Sequence, residues 1–188
     1  KNEGYEVSEV PVYEDGRVDL NKLSSLIRED TALASIQHVN SEIGVIQELK
    51  EIGELLHTKK VLLHSDCVQS YGRIPLDVEE LNVDAISISA HKIYGPKGTG
   101  AVWLNPNAKW KPVFPNEDGE LKLKPGTADV PSVAAFATAA KHITQNSPKE
   151  QERVKLFREK LIQKLNELPS ELEVIVQHNK PVPNILGL

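Results

Sequence analysis

The sequence contains no methionine and a single cysteine among its 188 residues. One cysteine cannot close an internal disulfide, and without cysteine pairs there is no zinc-ribbon or iron–sulfur ligand spacing. A reducing setting, the cytoplasm, is the expectation. Positive charge is also short: 22 Lys+Arg stand against 27 Asp+Glu, a net charge of −5, which lacks the basic footprint of a nucleic-acid binder. No apolar run approaches a membrane span, and no basic head with an apolar stretch opens the chain as in a signal peptide. Translation starts with methionine, so Lys1 as first residue gives the expectation of a piece of a longer protein. Low-complexity segments and internal repeats are lacking too. What is present is an apolar fraction of 39%, enough to bury a core without a disulfide or a metal.

The apolar periods alternate as in an α/β chain. Behind a possible cap at Asp19, Leu20, Leu23, Leu26 and Ile27 recur at helical spacing. Leu33 to Val39 is short and apolar enough for a buried strand. Leu49, Ile52, Leu55 and Leu56 form a second helical face, followed by short strands at Val61 to Leu63, Ala85 to Ile88 and Ala101 to Leu104. This order predicts a mostly parallel sheet covered on both faces, with ligands beyond the carboxyl ends of the strands. From Asn105 to Pro131 the chain is too long for a simple connection and is expected at the surface. Helical spacing resumes from Val133 to Ile143. SPKE at Ser147 to Glu150 has the form of a capping box with proline at the first helical position, and it predicts a separate long helix carrying Val154, Phe157, Leu161, Leu165 and Leu168. A strand is expected over Leu172 to Val176. The junction Asn146–Ser147 divides the chain into 1–146 and 147–188.

Polar residues crowd past three predicted strands: Asn40–Ser41, HSDCVQ at His64 to Gln69, and SAHKIYGPKGTG at Ser89 to Gly100. Exposed strand ends are polar by default, and most lysines are simply solvated. A carboxylate directly after one strand, a lysine after its neighbour, and Ser and His beside a glycine-rich turn are nevertheless the parts that hold a phosphorylated, carbonyl-bearing cofactor. With pyridoxal phosphate (PLP), Lys92 would form the Schiff base, which requires an unprotonated amine. Asp66 would face the pyridine nitrogen, Ser89 and His91 the phosphate, and Gln69 the ring hydroxyl oxygen. GPKGTG lacks the GxxxxGK[ST] spacing of a nucleotide phosphate loop. A metal on His64, Asp66 and His91 has no supporting spacing. Cys67 is expected to be a small buried side chain and not a nucleophile.

At these residues the sequence resembles the cysteine desulfurases of iron–sulfur cluster assembly, within the class V aminotransferase group. HSDCVQSYGRIPLDVEELNVDAISISAHKIYGPKGTGAVWL follows that family's HxDxxQ, then G, then SxSxHKxxGPKGxG. VNSEIGVIQ at Val39 to Gln47, PGT at Pro125 to Thr127 and PNIL at Pro183 to Leu186 fall where the family places further motifs. The resemblance implies the type I PLP-dependent transferase fold, a mostly parallel sheet flanked by helices. It makes 1–146 part of a large cofactor-binding domain and 147–188 the start of a smaller α/β domain. It also implies a homodimer that removes sulfur from L-cysteine, giving L-alanine and an enzyme persulfide for a sulfur-acceptor protein. Carried over, Lys92 is the Schiff-base lysine, Asp66 the pyridinium partner and Gln69 a ring-hydroxyl contact. Ser89 and His91 are phosphate ligands, and Thr127 reaches the phosphate bound in the partner subunit.

Two departures stand out. The family has two asparagines where this chain has Asn40–Ser41, the second contacting the cofactor; serine is shorter and donates one hydrogen instead of two, and Ser41 is expected beside the ring hydroxyl. FPNEDGELK at Phe114 to Lys122 replaces the family's HGGGQERG. The resemblance places a phosphate turn and a ring-stacking histidine upstream of Lys1, and the nucleophilic cysteine and a carboxylate-binding arginine downstream of Leu188, so that this chain by itself is expected to be inactive. Selenocysteine lyase or another class V enzyme is the alternative reaction, and a non-catalytic binding module the alternative role.

Overall fold

The computed structural model describes residues 4–120, 122–168, 173–175 and 181–188. Its helices and strands follow the apolar periods closely. Helix α1 (Leu20–Leu26) starts at Asp19, whose Oδ1 accepts from the backbone N–H groups of Asn21 and Lys22 at 2.9 and 3.1 Å. A cap of this kind satisfies N–H groups that the first turn of a helix leaves without a partner. Strand β1 (Leu33–Gln37), helix α2 (Leu49–Thr58), β2 (Leu62–Asp66), β3 (Ala85–Ser89), a single 3-10 turn at Ala90–Ile93 and β4 (Gly100–Leu104) follow. Among its described residues, the surface segment expected from Asn105 onward carries a two-stranded ribbon, β5 (Gly119–Glu120) with β6 (Lys124–Pro125). Helix α3 (Val130–Asn166) is the last element among the described residues.

The sheet runs in the order β1-β2-β3-β4, with the first three strands parallel and β4 antiparallel to β3. Gly100 lies opposite Ser89, and a Cβ there would stand 2.7 Å from the Ile88 carbonyl oxygen. Only glycine lets β4 approach this closely. One sheet face packs on α1 and α2 through Leu23, Ile36, Leu49, Ile52, Leu56, Leu63 and Ile86, all buried. Each such Leu or Ile contributes about 1.5–3 kcal/mol relative to exposure. A second apolar cluster joins the 3-10 turn to α3 through Ala90, Ile93, Phe136 and Ile143. Gly72 makes this junction possible, because its φ is +74° and a Cβ would meet Ile143 at 2.8 Å.

Asp84, just before β3, ties the parallel strands together at their amino ends. Its Oδ2 accepts from the Leu63 N–H at 2.8 Å and meets His57 Nε2 at 2.8 Å. Its own N–H donates to the Leu63 carbonyl, and its carbonyl accepts from Asn105.

Three expectations need correction. The sheet was expected to be covered on both faces, but among the described residues the face carrying Leu33, Ser35, Gln37 and Val102 is open, with Leu33 57% and Val102 59% exposed. On that face Leu33, Ser35, Gln37 and Val102 of the edge strands β1 and β4 are exposed, Leu62, His64, Ala85 and Ser87 of β2 and β3 are half-buried, and the opposite face buries Ile36, Leu63, Ser65 and Ile86. Second, SPKE does not begin a helix: α3 is continuous through Pro148. Ser147 Oγ donates to the Gly72 carbonyl at 3.3 Å and accepts from Gln151 Nε2 at 2.6 Å, so its hydroxyl serves packing and not a cap. The helix runs unbroken across Asn146–Ser147. Third, of the strand expected over Leu172–Val176, residues 172 and 176 lie outside the described residues, and 173–175 are not in a strand.

Candidate active site at the carboxyl edge of the sheet

The register sets Gln37, Asp66 and Ser87 side by side across three parallel strands. The chain leaves β2 at Asp66 and β3 at Ser89, so the two following loops open at the same edge. Asp66 is exposed, and its Oδ1 accepts from the Val68 N–H at 2.9 Å, which turns the chain sharply out of the strand. Past β3, Ser89 Oγ and His91 Nδ1 lie 2.7 Å apart. Lys92 follows, half-buried in the 3-10 turn, which Tyr94 closes with φ +68°. Ser89, His91, Lys92 and Asp66 therefore stand at one edge, as the sequence predicts.

Gln69 belongs to this group through a residue that sequence reasoning missed. Arg73 Nη1 donates to Gln69 Oε1 and, at 3.4 Å, to the Gln69 carbonyl, while Arg73 Nη2 donates to the Lys92 carbonyl at 3.3 Å. The spacing of four from Gln69 to Arg73 is the one available sequence signal.

The other predicted contacts make local hydrogen bonds or are exposed. Asn40 Oδ1 accepts from the Glu42 and Ile43 N–H groups at 2.9 and 3.0 Å, so its oxygen shapes its own loop. Ser41 is exposed, and its hydroxyl donates to Glu42 Oε1 at 3.1 Å. Gln47, at the end of the same motif, is buried and structural: its Oε1 accepts from Val18 N–H and its Nε2 donates to the Gly16 carbonyl, each at 2.8 Å. Thr127 is exposed in the segment before α3. Cys67 is fully buried, and burial pushes its thiol up despite hydrogen bonding from Ser65 and Ser70. A thiol so placed is inert.

His64 is held across the open sheet face, its Nδ1 2.8 Å from Ser35 Oγ and its Nε2 2.9 Å from Ser87 Oγ. Both ring nitrogens are thus engaged with hydroxyls. Burial lowers its pKa, and the neighbouring Asp66 opposes that shift. Among the described residues no group of three or more His, Cys, Asp or Glu is gathered for a metal ion.

His38, just past β1, is buried and its Nδ1 has no hydrogen-bond partner. Burial lowers its pKa from 6.5 to about 4. Above pH 6.5 the ring is neutral in both the folded and unfolded chain. As the pH falls from 6.5 to about 4, only the unfolded chain takes up the proton, so stability declines through that window. At about pH 5 the loss amounts to roughly 2 kcal/mol. Replacing His38 by glutamine is expected to remove this share of the difference in urea midpoint between about pH 7.5 and about pH 5. An unchanged difference would show that His38 is not its source.

The donor set at the edge comprises an amine, a carboxylate, a hydroxyl paired with an imidazole, and a carboxamide whose oxygen is already taken. It matches, group for group, an aldehyde, a ring nitrogen, a phosphate and a ring oxygen, so the residues fit PLP.

Comparison with known proteins agrees with this chemistry. Residues 1–186 match the family model described as aminotransferase class V. The chain is 44% identical over 172 residues to the mitochondrial cysteine desulfurase of Candida albicans, covering 90% of this chain and 35% of that protein. It is 41% identical over 163 residues to the cysteine desulfurase IscS of an Anaeromyxobacter species, covering 86% of this chain and 40% of that one. Its fold superposes on a crystal structure of a NifS-like protein from Rickettsia africae with a TM-score of 0.84 at 31% identity, over 93% of this chain and 49% of that chain. The chain therefore spans half or less of the length of these proteins. A type I PLP-dependent α/β fold, the lysine and carboxylate at its sheet edge, and a family match over nearly every residue lead to one conclusion: this chain belongs to the class V aminotransferase family.

Proposed function

We propose that the full-length protein is a PLP-dependent cysteine desulfurase, supplying sulfur from L-cysteine to an acceptor protein for iron–sulfur cluster or thio-cofactor assembly. The observation that carries this reading is the convergence of Asp66, the Ser89–His91 pair and Lys92 at adjacent parallel strand ends. The names of the relatives support the choice of reaction within the family.

When bound, PLP supplies an aldehyde carbon for amines and an electron-poor ring that spreads negative charge from the substrate's α-carbon. The chain's residues supply the rest. Lys92 Nζ anchors the cofactor and carries a proton to and from the substrate carbon. The Asp66 carboxylate holds the proton on the pyridine nitrogen. Ser89 Oγ and the His91 ring bind the phosphate, and Gln69 donates to the ring oxygen. Asn40 and Ser41 border the ring. Thr127 serves the phosphate of a partner subunit, which makes the working unit a homodimer.

In the sulfur step a thiolate attacks the Sγ of the substrate, the carbon–sulfur bond breaks, and the carbon gains a proton to become alanine. The attacking thiol leaves as a persulfide. Buried Cys67 does not take that part, so the thiol comes from elsewhere in the full-length protein. The division into 1–146 and 147–188 is kept as large domain and start of the small domain. No helix among the described residues is long and apolar enough to cross a membrane, and we place the reaction in the cytoplasm, where thiols stay reduced.

The test is to incubate the full-length protein with PLP, L-cysteine and a thiol reductant. Alanine and sulfide are expected in equal amounts, and neither without PLP. Failure to form alanine, or a strong preference for L-selenocysteine, would count against this reading.

A further inference from the structure

The geometry points to Arg73 as a positioning residue that fixes the direction of the Gln69 carboxamide and the seat of the Lys92 turn at once. This rests on the PLP reading above and extends it to a residue outside the strand-end motif.

A carboxamide has two ends of opposite character, and a side chain free to rotate presents either. Here the Arg73 guanidinium occupies Gln69 Oε1, and a guanidinium only donates. The oxygen is therefore held against Arg73, and the NH2 group of Gln69 is the end left for another partner. A ring oxygen carrying negative charge needs a donor, so the guanidinium selects the useful end of the amide. The same side chain reaches the Lys92 carbonyl with its second nitrogen, at 3.3 Å. One planar fork thus spans the loop after β2 and the turn after β3, the two segments that carry Gln69 and Lys92.

The surroundings suit a fixed cation. Arg73 is half-buried and forms no ion pair among the described residues. It lines, with Lys92, Tyr94, Ile143 and Gln151, a cavity of about 110 Å³ between the 3-10 turn and α3. Burial lowers its pKa and the neighbouring Tyr94 opposes that shift. Gly72, with φ +74°, precedes it and sets the loop against Ile143. The guanidinium is held by its bonds to Gln69 and to the Lys92 carbonyl, and a lysine, a single point charge, cannot make both contacts.

The consequence is a sign. Both the positive charge and the donor end of Gln69 favour the deprotonated ring oxygen, so their loss raises the pH at which bound PLP changes its visible absorption. The full-length protein reconstituted with PLP is titrated across pH as wild type, Arg73→Met, Arg73→Lys, Gln69→Ala and the double variant Gln69→Ala/Arg73→Met. Arg73→Met is expected to raise the spectral midpoint by about one pH unit, and Arg73→Lys by less. In the Gln69→Ala background, Arg73→Met is expected to add only a small further shift, since most of its effect passes through Gln69.

A lowered melting temperature with unmoved midpoints in both Arg73 variants would mark a merely structural residue and overturn the inference. Fully additive shifts in the double variant would overturn the route through Gln69. Arg73→Lys retains charge and bulk, so it carries the test if Arg73→Met does not fold. A wild-type protein that develops no visible band with PLP fails the cofactor reading itself; one that does, with unmoved variants, fails this inference alone.

Discussion

Lys92→Ala in the full-length protein is expected to lower alanine formation from L-cysteine by about three orders of magnitude or more while leaving the fold in place. The two halves of this expectation have separate grounds. Lys97, the other amine of that loop, is exposed, whereas the Lys92 side chain, five residues earlier, carries the half-buried amine of the strand-end cluster. Its backbone, by contrast, holds the turn: Ala90 and Ile93 are buried beside it, and its carbonyl accepts from Arg73. Alanine keeps all of these contacts and lies in a half-buried position, where substitutions cost little. Circular dichroism and the melting temperature should therefore match wild type, and the visible band formed with PLP should shift or vanish. A rate within tenfold of wild type would remove Lys92 from the mechanism.

Asp66→Asn is expected to reduce the rate by about a hundredfold. Asparagine is nearly the same shape and its oxygen can still accept from Val68 N–H, so the sharp exit from β2 is preserved. The negative charge is what disappears, and a neutral amide does not hold a proton on a ring nitrogen. Asp66→Ala is the informative companion, since it loses both the charge and the turn. A rate similar to that of Asp66→Asn would assign the effect to the charge. Melting temperatures that separate the two variants would measure the turn alone. If Asp66→Asn retains full activity, the carboxylate does not serve the ring.

Much of the candidate site was legible because polar groups follow the apolar runs Val61 to Leu63 and Ala85 to Ile88, although β2 itself extends three residues past Leu63 and β1 stops at Gln37. Asp66 and Ser89 are the last residues of β2 and β3, so a polar group placed after an apolar run fell at the sheet edge. Asp19 was legible as a cap for an equally local reason. Arg73 was not, because it lies in a turn with no period, and its partners are chosen by how two loops meet. The continuity of α3 was hidden by a degenerate local signal. A proline after serine, with glutamate two residues on, is compatible with a first helical turn, whose N–H groups need no partner. It is also compatible with a helix interior when the preceding turn is already formed, at the cost of one hydrogen bond. The residues before Ser147 are helical, with Thr144 Oγ1 donating to the Ala140 carbonyl and Asn146 Nδ2 to that of His142.

The 37 residues of α3 amount to a rod roughly 55 Å long. One end is capped by Asp129, two residues from Thr127, and the other ends beside Glu167. Between them the helix is pinned to the sheet side by Phe136, Ile143 and the Ser147 hydroxyl. The pinned stretch, Phe136 to Ser147, lies in the first half of the rod, and Arg158 Nη1 donates to the Ile185 carbonyl further along, so one element joins the residue next to the lysine turn, the segment after Thr127 and the last residues of the chain.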